Sequence, residues 1–120
     1  MSRSRTSARK AGARFEREVA DFLAAALGDP SIDRRVKTGA RDRGDVANVR
    51  ANGLRAVVEC KDVARTDLAG WLGEAEAERA NDGADVGVVI HKRRGVSDPG
   101  EQYVTMTLRT FAAMAIGGMR

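Results

Sequence analysis

"GDVANVRANGLRAVVECK", residues 44–61, is the stretch whose reading decides the fold. Two runs of strand-forming residues flank Asn52-Gly53, a pair that signals a hairpin. The pattern predicts strands over residues 45–50 and 54–61. The second strand starts apolar and ends in Glu59-Cys60-Lys61. Side chains alternate faces along a strand, so Val57, Glu59 and Lys61 share one face while Val58 and Cys60 share the other. A carboxylate and an ammonium thus sit side by side at the strand's end. That pair is either a same-face salt bridge or half of a reactive centre.

The hairpin register decides what Asp45 meets. A two-residue loop, Asn52-Gly53, pairs Arg50 with Arg55 and turns Asp45 towards Cys60. A three-residue loop, Ala51-Asn52-Gly53, pairs Arg50 with Leu54 and sets Asp45 opposite Glu59. Gly53 then takes the left-handed position that such loops use. The expectation is the three-residue turn, with Cys60 facing the core. Two carboxylates so close repel unless a cation lies between them. A hard divalent ion with oxygen ligands, Mg²⁺ above all, resolves the repulsion and suits phosphate chemistry. The bland alternative is that Asp45 only caps a turn.

Upstream, residues 1–6 read as a basic flexible tail and residues 7–120 as a single domain, since 120 residues support one core. A helix is expected from Ser7 or Ala8 to Leu27, ended by Gly28-Asp29-Pro30. Its apolar stripe runs from Phe22 through Ala26, Val19 and Leu23 to Leu27. Glu16 falls inside that stripe, where a carboxylate is costly unless it is paired, bound to metal or able to reach water. Residues 32–37 suggest a short strand. Downstream, a second helix from a Thr66 or Asp67 cap to Asn81, a buried strand over 85–91, a strand over 103–108 and a closing helix over 109–116 complete the chain. The order αβββαβ, with a further strand and helix, is an α/β (mixed α+β) arrangement, a mixed central sheet flanked by helices.

Composition points to nucleic acid. The net charge is +4, carried by 17 Arg against 4 Lys. Arginine's planar fork suits bidentate contact with phosphate. The basic residues cluster at Arg3, Arg5, Arg9, Lys10 and Arg14, at Arg34, Arg35, Lys37, Arg41 and Arg43, and at Lys92, Arg93 and Arg94. A solvated Arg-rich surface is the competing account. No apolar run is long enough for a membrane span, no signal core follows the basic N-terminus, and Cys60 is the one cysteine. The expected location is therefore cytoplasmic, in a bacterial, archaeal or phage-infected cell. His91 has no partners for a zinc site, and "TGARDRG" lacks a nucleotide-binding pattern. Trp71, Leu68 and Leu72 are either core packing of the second helix or an apolar dimer face.

"GARFEREVADFL", then "GD", then "VVECK" resembles the PD-(D/E)XK nuclease superfamily, with spacing most similar to archaeal-type and phage Holliday junction resolvases. The resemblance covers roughly residues 10–95. It implies a restriction-endonuclease-like core and a Mg²⁺-dependent DNA endonuclease, with Mn²⁺ able to substitute. It assigns Glu16, Asp45, Glu59 and Lys61 to catalysis, and Asp45, Glu59, Glu16 and the backbone carbonyl of Cys60 to the metal. It implies branched DNA, such as a four-way junction, as substrate and a homodimer as the working form, with no nucleotide cofactor. Arg9, Lys10, Arg14, Arg35, Lys37, Thr38, Arg41, Arg43, Lys92, Arg93 and Arg94 are the expected DNA contacts, Thr38 also being a candidate catalytic hydroxyl. Gly44 stands where the superfamily usually has proline. A restriction-like or repair nuclease and a non-catalytic nucleic-acid-binding module are the alternatives.

Overall fold

The computed structural model describes residues 4–37 and 42–118. The elements are α1 (Arg5–Leu27), β1 (Asp33–Arg34), β2 (Val46–Ala51), β3 (Leu54–Lys61), α2 (Leu68–Asp82), β4 (Val86–His91), a 3₁₀ turn at Pro99–Glu101, β5 (Tyr103–Thr105) and α3 (Leu108–Ile116). Helix α1 begins two residues earlier than expected, because the Ser4 side chain accepts the Ser7 N–H and caps it. Residues 5 and 6, expected in the basic tail, belong to the helix. Gly28, in the left-handed conformation, closes the helix as the sequence predicts. Asp67 caps α2 and Gly83 ends it.

The strands lie in the order β1-β2-β3-β4-β5. β1, β2 and β3 form an antiparallel meander, α2 carries the chain over to β4 parallel to β3, and β5 returns antiparallel to β4. This is the expected αβββαβ order with one strand and one helix added. β1 and β5 are only two and three residues long, shorter than the sequence pattern suggested.

The alternation along β3 and β4 builds a core on each face. Val46, Val49, Ala56, Val58, Val86, Val88 and Ile90 pack against Phe15, Val19 and Ala20 of α1, with Ala113 and Met114 of α3 partly buried against them. On the other face Trp71 and Ala75 of α2 pack with Val89, and Leu72 joins them. Trp71 is therefore core packing and not a dimer face. Gly87 allows α2 to come this close, since a Cβ there would lie 2.9 Å from the Ala75 carbonyl oxygen. The α1 stripe is partly displaced from expectation. Phe15, Val19 and Leu23 turn inward, but Phe22, Ala26 and Leu27 are exposed. The Phe22 ring rests beside Gly100 of the 3₁₀ turn instead of entering the core.

Candidate metal centre

The β2–β3 hairpin corrects the expected turn and keeps its consequence. Ala51 pairs with Leu54 and Arg50 with Arg55, so the loop is the two residues Asn52-Gly53, both at positive φ. That register alone would turn Asp45 to Cys60. A bulge between Val46 and Val49, with Asn48 at φ 71°, inserts one extra residue in β2. Beyond it Val46 pairs with Val58, and the next step sets Asp45 beside Glu59. The bulge supplies the one-residue shift that the sequence reading assigned to the turn.

Gly44 places Asp45. Its φ of 97° is closed to proline, and a Cβ there would meet Val57 Cγ1 at 2.9 Å. Glycine at position 44 is thus a local backbone requirement of this chain. The Asp45 N–H donates to Val58 O at 2.8 Å. Its carboxylate accepts the Cys60 N–H at 2.7 Å and the Lys37 ammonium at 2.5 Å.

Asp45 and Glu59 are both buried, and their carboxyls share a hydrogen bond. Burial works to raise the pKa of Asp45, but hydrogen bonds from Glu59, Lys37 and the Cys60 N–H outweigh it and hold the group below its ordinary value. Burial first, then Asp45 and Glu78, push Glu59 well above the carboxylate range. The proton of the pair therefore resides on Glu59, and Asp45 carries the charge.

Lys61 stands on the same face. Its ammonium is 3.5 Å from Glu59 Oε2 and 2.7 Å from Glu74 Oε2. Burial would lower its pKa, but the two glutamates win and raise it. Lys61 is therefore a fixed cation, suited to orienting a water or an anionic oxygen rather than to abstracting a proton. Glu16 is largely buried and salt-bridged to Arg34 at 3.1 Å. Burial and the charge of Asp45 raise its pKa despite Arg34. Glu16 thus stands within the field of Asp45, while its salt bridge to Arg34 realises the alternative of a carboxylate that is simply paired.

Two members of the cluster escaped the sequence reading. Glu78 of α2 is 3 % exposed. Asp42, Glu59 and Glu78 each place a carboxylate oxygen within 4.8 Å of the others. Glu59 Oε1 and Glu78 Oε1 are buried with no N–H or alcohol hydroxyl donor, and the Glu78 carboxyl shares hydrogen bonds with those of Glu59 and Asp42. Burial, together with Asp42 and Asp45, pushes Glu78 up to about 7. The all-oxygen donor set and the two orphaned oxygens fit a hard divalent cation such as Mg²⁺ or Mn²⁺. A signal for Glu78 did exist: Trp71, Ala75 and Glu78 follow i, i+4, i+7, the spacing of one helix face.

The basic residues divide into two groups. Arg35 is bound to Asp82 and Lys37 to Asp45, so Arg35 serves the framework and Lys37, though exposed, is tied to the centre. Arg9, Lys10 and Arg14 lie exposed on α1, and Arg43 is exposed beside Gly44. Thr38 and Arg41 lie outside the described residues. Arg14, Lys92, Arg93 and Arg94 line a groove of about 720 Å³ with Phe15, Glu18, Thr66 and residues 62–64, which follow directly on Lys61. Within it, the Lys92 ammonium is held by the Arg93 and Val96 carbonyls. Arg93 bonds the Glu101 carbonyl and lies 4.4 Å over the Tyr103 ring. Gln102, which suggested no role in sequence, is buried and braces this loop through the Arg93 N–H and the Val96 and Asp98 carbonyls. His91 bonds Thr105 at 2.7 Å and packs on Trp71. Cys60 packs against the α1-side core, and burial pushes its thiol far up, which leaves it unreactive.

Comparison of the chain with protein-family models, with curated proteins and with solved structures finds no match.

Proposed function

We propose that the protein is a divalent-metal-dependent DNA endonuclease, acting on branched DNA such as a four-way junction. The observation that carries this reading is the convergence of Asp45, Glu59 and Lys61 at one end of the sheet, with Glu16 close enough to feel the charge of Asp45. Asp45, Glu59 and the Cys60 carbonyl, with Glu16, would hold Mg²⁺, which when bound supplies a polarised phosphate and an acidified water. Asp45 is already ionised and fixed by the Cys60 N–H, so it is set to act as a ligand. Lys61, held cationic by Glu59 and Glu74, orients the attacking water and offsets charge on the phosphate as it is displaced. The groove with Arg14 and Arg94 offers guanidinium groups to the DNA backbone next to the strand end that carries Lys61.

The working form we propose is a homodimer, with its interface moved from Trp71 and Leu72 to α3 and β5. Leu108, Phe111 and Ile116 of α3 are exposed, and these apolar side chains suit a second copy better than they suit DNA, with the edge strand β5 beside them in sequence.

The decisive experiment incubates the protein with Mg²⁺ or Mn²⁺ and a synthetic four-way junction, a flap and a linear duplex. Wild type is expected to cut the junction, and Asp45→Asn to lose at least about a hundredfold in rate. No cleavage of any substrate with either metal would remove the enzyme. Equal rates on duplex and junction would keep the nuclease and remove the junction preference. Salt-sensitive DNA binding without turnover, unchanged in Asp45→Asn, would favour a binding module.

A further inference from the structure

We infer that Asp42, Glu59 and Glu78 form a second divalent-cation position, beside the one that Glu59 shares with Asp45. As part of a nuclease it rests on the function proposed above. As a cation site it stands on its own geometry.

Three carboxylates close together would not by themselves mark a site. Here two of them are also stranded. Glu59 and Glu78 are 5 % and 3 % exposed, and each buries one oxygen that no N–H or alcohol hydroxyl reaches; the carboxyl of Glu78 shares hydrogen bonds with those of Glu59 and Asp42, partners inside the trio itself. Native interiors rarely leave such atoms without a partner. Among the described residues, neither Asp42 nor Glu78 makes a salt bridge, whereas Asp45 has Lys37, Glu16 has Arg34, and Asp82 has Arg35 and Arg55. Asp45, Glu16 and Asp82 each have a cation, and among the described residues this trio has none apart from the contact of Lys61 with Glu59.

The geometry fits a small hard ion. The three oxygens lie within 4.8 Å of one another. An octahedral ion at about 2.1 Å from its ligands needs oxygens roughly 3 Å apart when adjacent and about 4.2 Å apart when opposite. Small side-chain rotations close that gap. The trio contains no nitrogen or sulfur donor, which selects Mg²⁺, Mn²⁺ or Ca²⁺ over Zn²⁺. The framework is rigid where it needs to be. Glu59 stands on the central strand, and Glu78 lies on the buried face of α2 in line with Trp71 and Ala75. Asp42 is positioned by the Gly44 N–H on its Oδ1, 2.9 Å away, and by Asn81, whose Nδ2 donates to the Asp42 carbonyl. Glu59 then bridges two cation positions, one shared with Asp45 and one with Asp42 and Glu78.

The test counts Mn²⁺ bound per chain, by electron paramagnetic resonance of the free ion, on metal-free protein without DNA. DNA cleavage is measured in parallel. Wild type is expected to bind two ions, and Asp42→Asn and Glu78→Gln one each. Asp45→Asn should retain one, and Glu59→Gln none. Asp42 is exposed, so Asp42→Asn keeps the test valid if Glu78→Gln fails to fold by circular dichroism. A single wild-type ion that is lost in Asp45→Asn and kept in Asp42→Asn overturns the second position and leaves the nuclease standing. Two ions in wild type, one in Asp42→Asn, and no cleavage of any DNA would establish the site and remove the nuclease.

Discussion

Glu59 is a carboxyl that the fold keeps protonated. It lies buried against ionised Asp45 and beside Glu78, so folding without a cation must either retain its proton or confine like charges. A neutral amide of the same shape removes that choice and can donate to Asp45 and Glu78. Glu59→Gln is therefore expected to stabilise the metal-free protein at pH 7 by about 1–3 kcal/mol while abolishing activity. Thermal unfolding in EDTA should show the midpoint rising by several degrees. A midpoint lowered by the substitution would mean that Glu59 contributes a stabilising charge pair with Lys61. Such opposition between stability and activity is the signature of a functional carboxylate, and it explains what sequence could reveal here. The approach of Asp45 to Glu59 and Lys61 was legible because strand alternation and register carry meaning, and the inward position of Glu16 because helical spacing does. Glu78 was hidden in "GEAEAERAN", where Glu74, Glu76 and Glu78 differ only in helical phase, and Asp42 lies in a loop with no periodicity to read.

At the scale of elements, the hairpin had two solutions that place Asp45 identically. A three-residue turn and a two-residue turn with a bulge each displace β2 by one residue relative to β3. Asn52-Gly53 favours the tight turn on local grounds, since both residues adopt positive φ readily. The displacement then falls to Asn48, whose φ of 71° no pattern in "VANVR" announces. Asn tolerates that conformation, and its side chain also bonds the Ser31 carbonyl at 2.8 Å. A β-branched residue does not tolerate it. Asn48→Val is expected to cost about 1–3 kcal/mol, whereas Asn48→Gly stays within about 1 kcal/mol of wild type. Urea unfolding of the two variants measures the difference. Equal stabilities would mean that β2 slips past the bulge, and in that case Mn²⁺ binding by Asp45 should fail in both. The helices were easier to read because caps and glycine stops are local, and Asp67, Gly28 and Gly83 all act where the sequence placed them.

The whole molecule separates its surfaces by chemistry: an acidic centre, a basic groove beside it, and exposed apolar side chains on α3. The sequence pattern predicts a closing helix over 109–116 but carries no sign that Leu108, Phe111 and Ile116 stay exposed, because that depends on which side of α3 meets the sheet. Side chains already exposed can be changed without harm to the core. Leu108→Asp combined with Phe111→Asp should leave the unfolding midpoint within a few degrees of wild type and convert a dimer to a monomer of 12.9 kDa in sedimentation equilibrium. A wild-type protein already monomeric at tens of micromolar would dispose of the paired form.

The acidic centre also sets how stability responds to pH. Glu59, Glu78 and Glu16 all have pKa values raised in the folded protein, burial being the first cause for each. A raised carboxyl gives stability that is complete below its unfolded value of about 4.5 and is lost as pH climbs towards the folded value. For Glu78 that loss runs from about 4.5 to about 7. Glu59 continues it to higher pH. Asp45 has the opposite sign: its pKa is lowered, so its contribution disappears only as pH falls below about 3.8. His91, lowered by burial, opposes the trend with a single group near neutrality. Stability in EDTA should therefore peak near pH 4–5 and decline towards pH 8, by up to about 1.4 kcal/mol per pH unit for each proton retained. A divalent cation binds the deprotonated carboxylates, so millimolar Mn²⁺ should raise the midpoint far more at pH 8 than at pH 5 and flatten the profile. Thermal melts across this range, with and without Mn²⁺, make the comparison directly. A midpoint that rises from pH 5 to pH 8 in EDTA would mean that the buried carboxyls ionise at no cost, and the electrostatic account of the centre would fail with them.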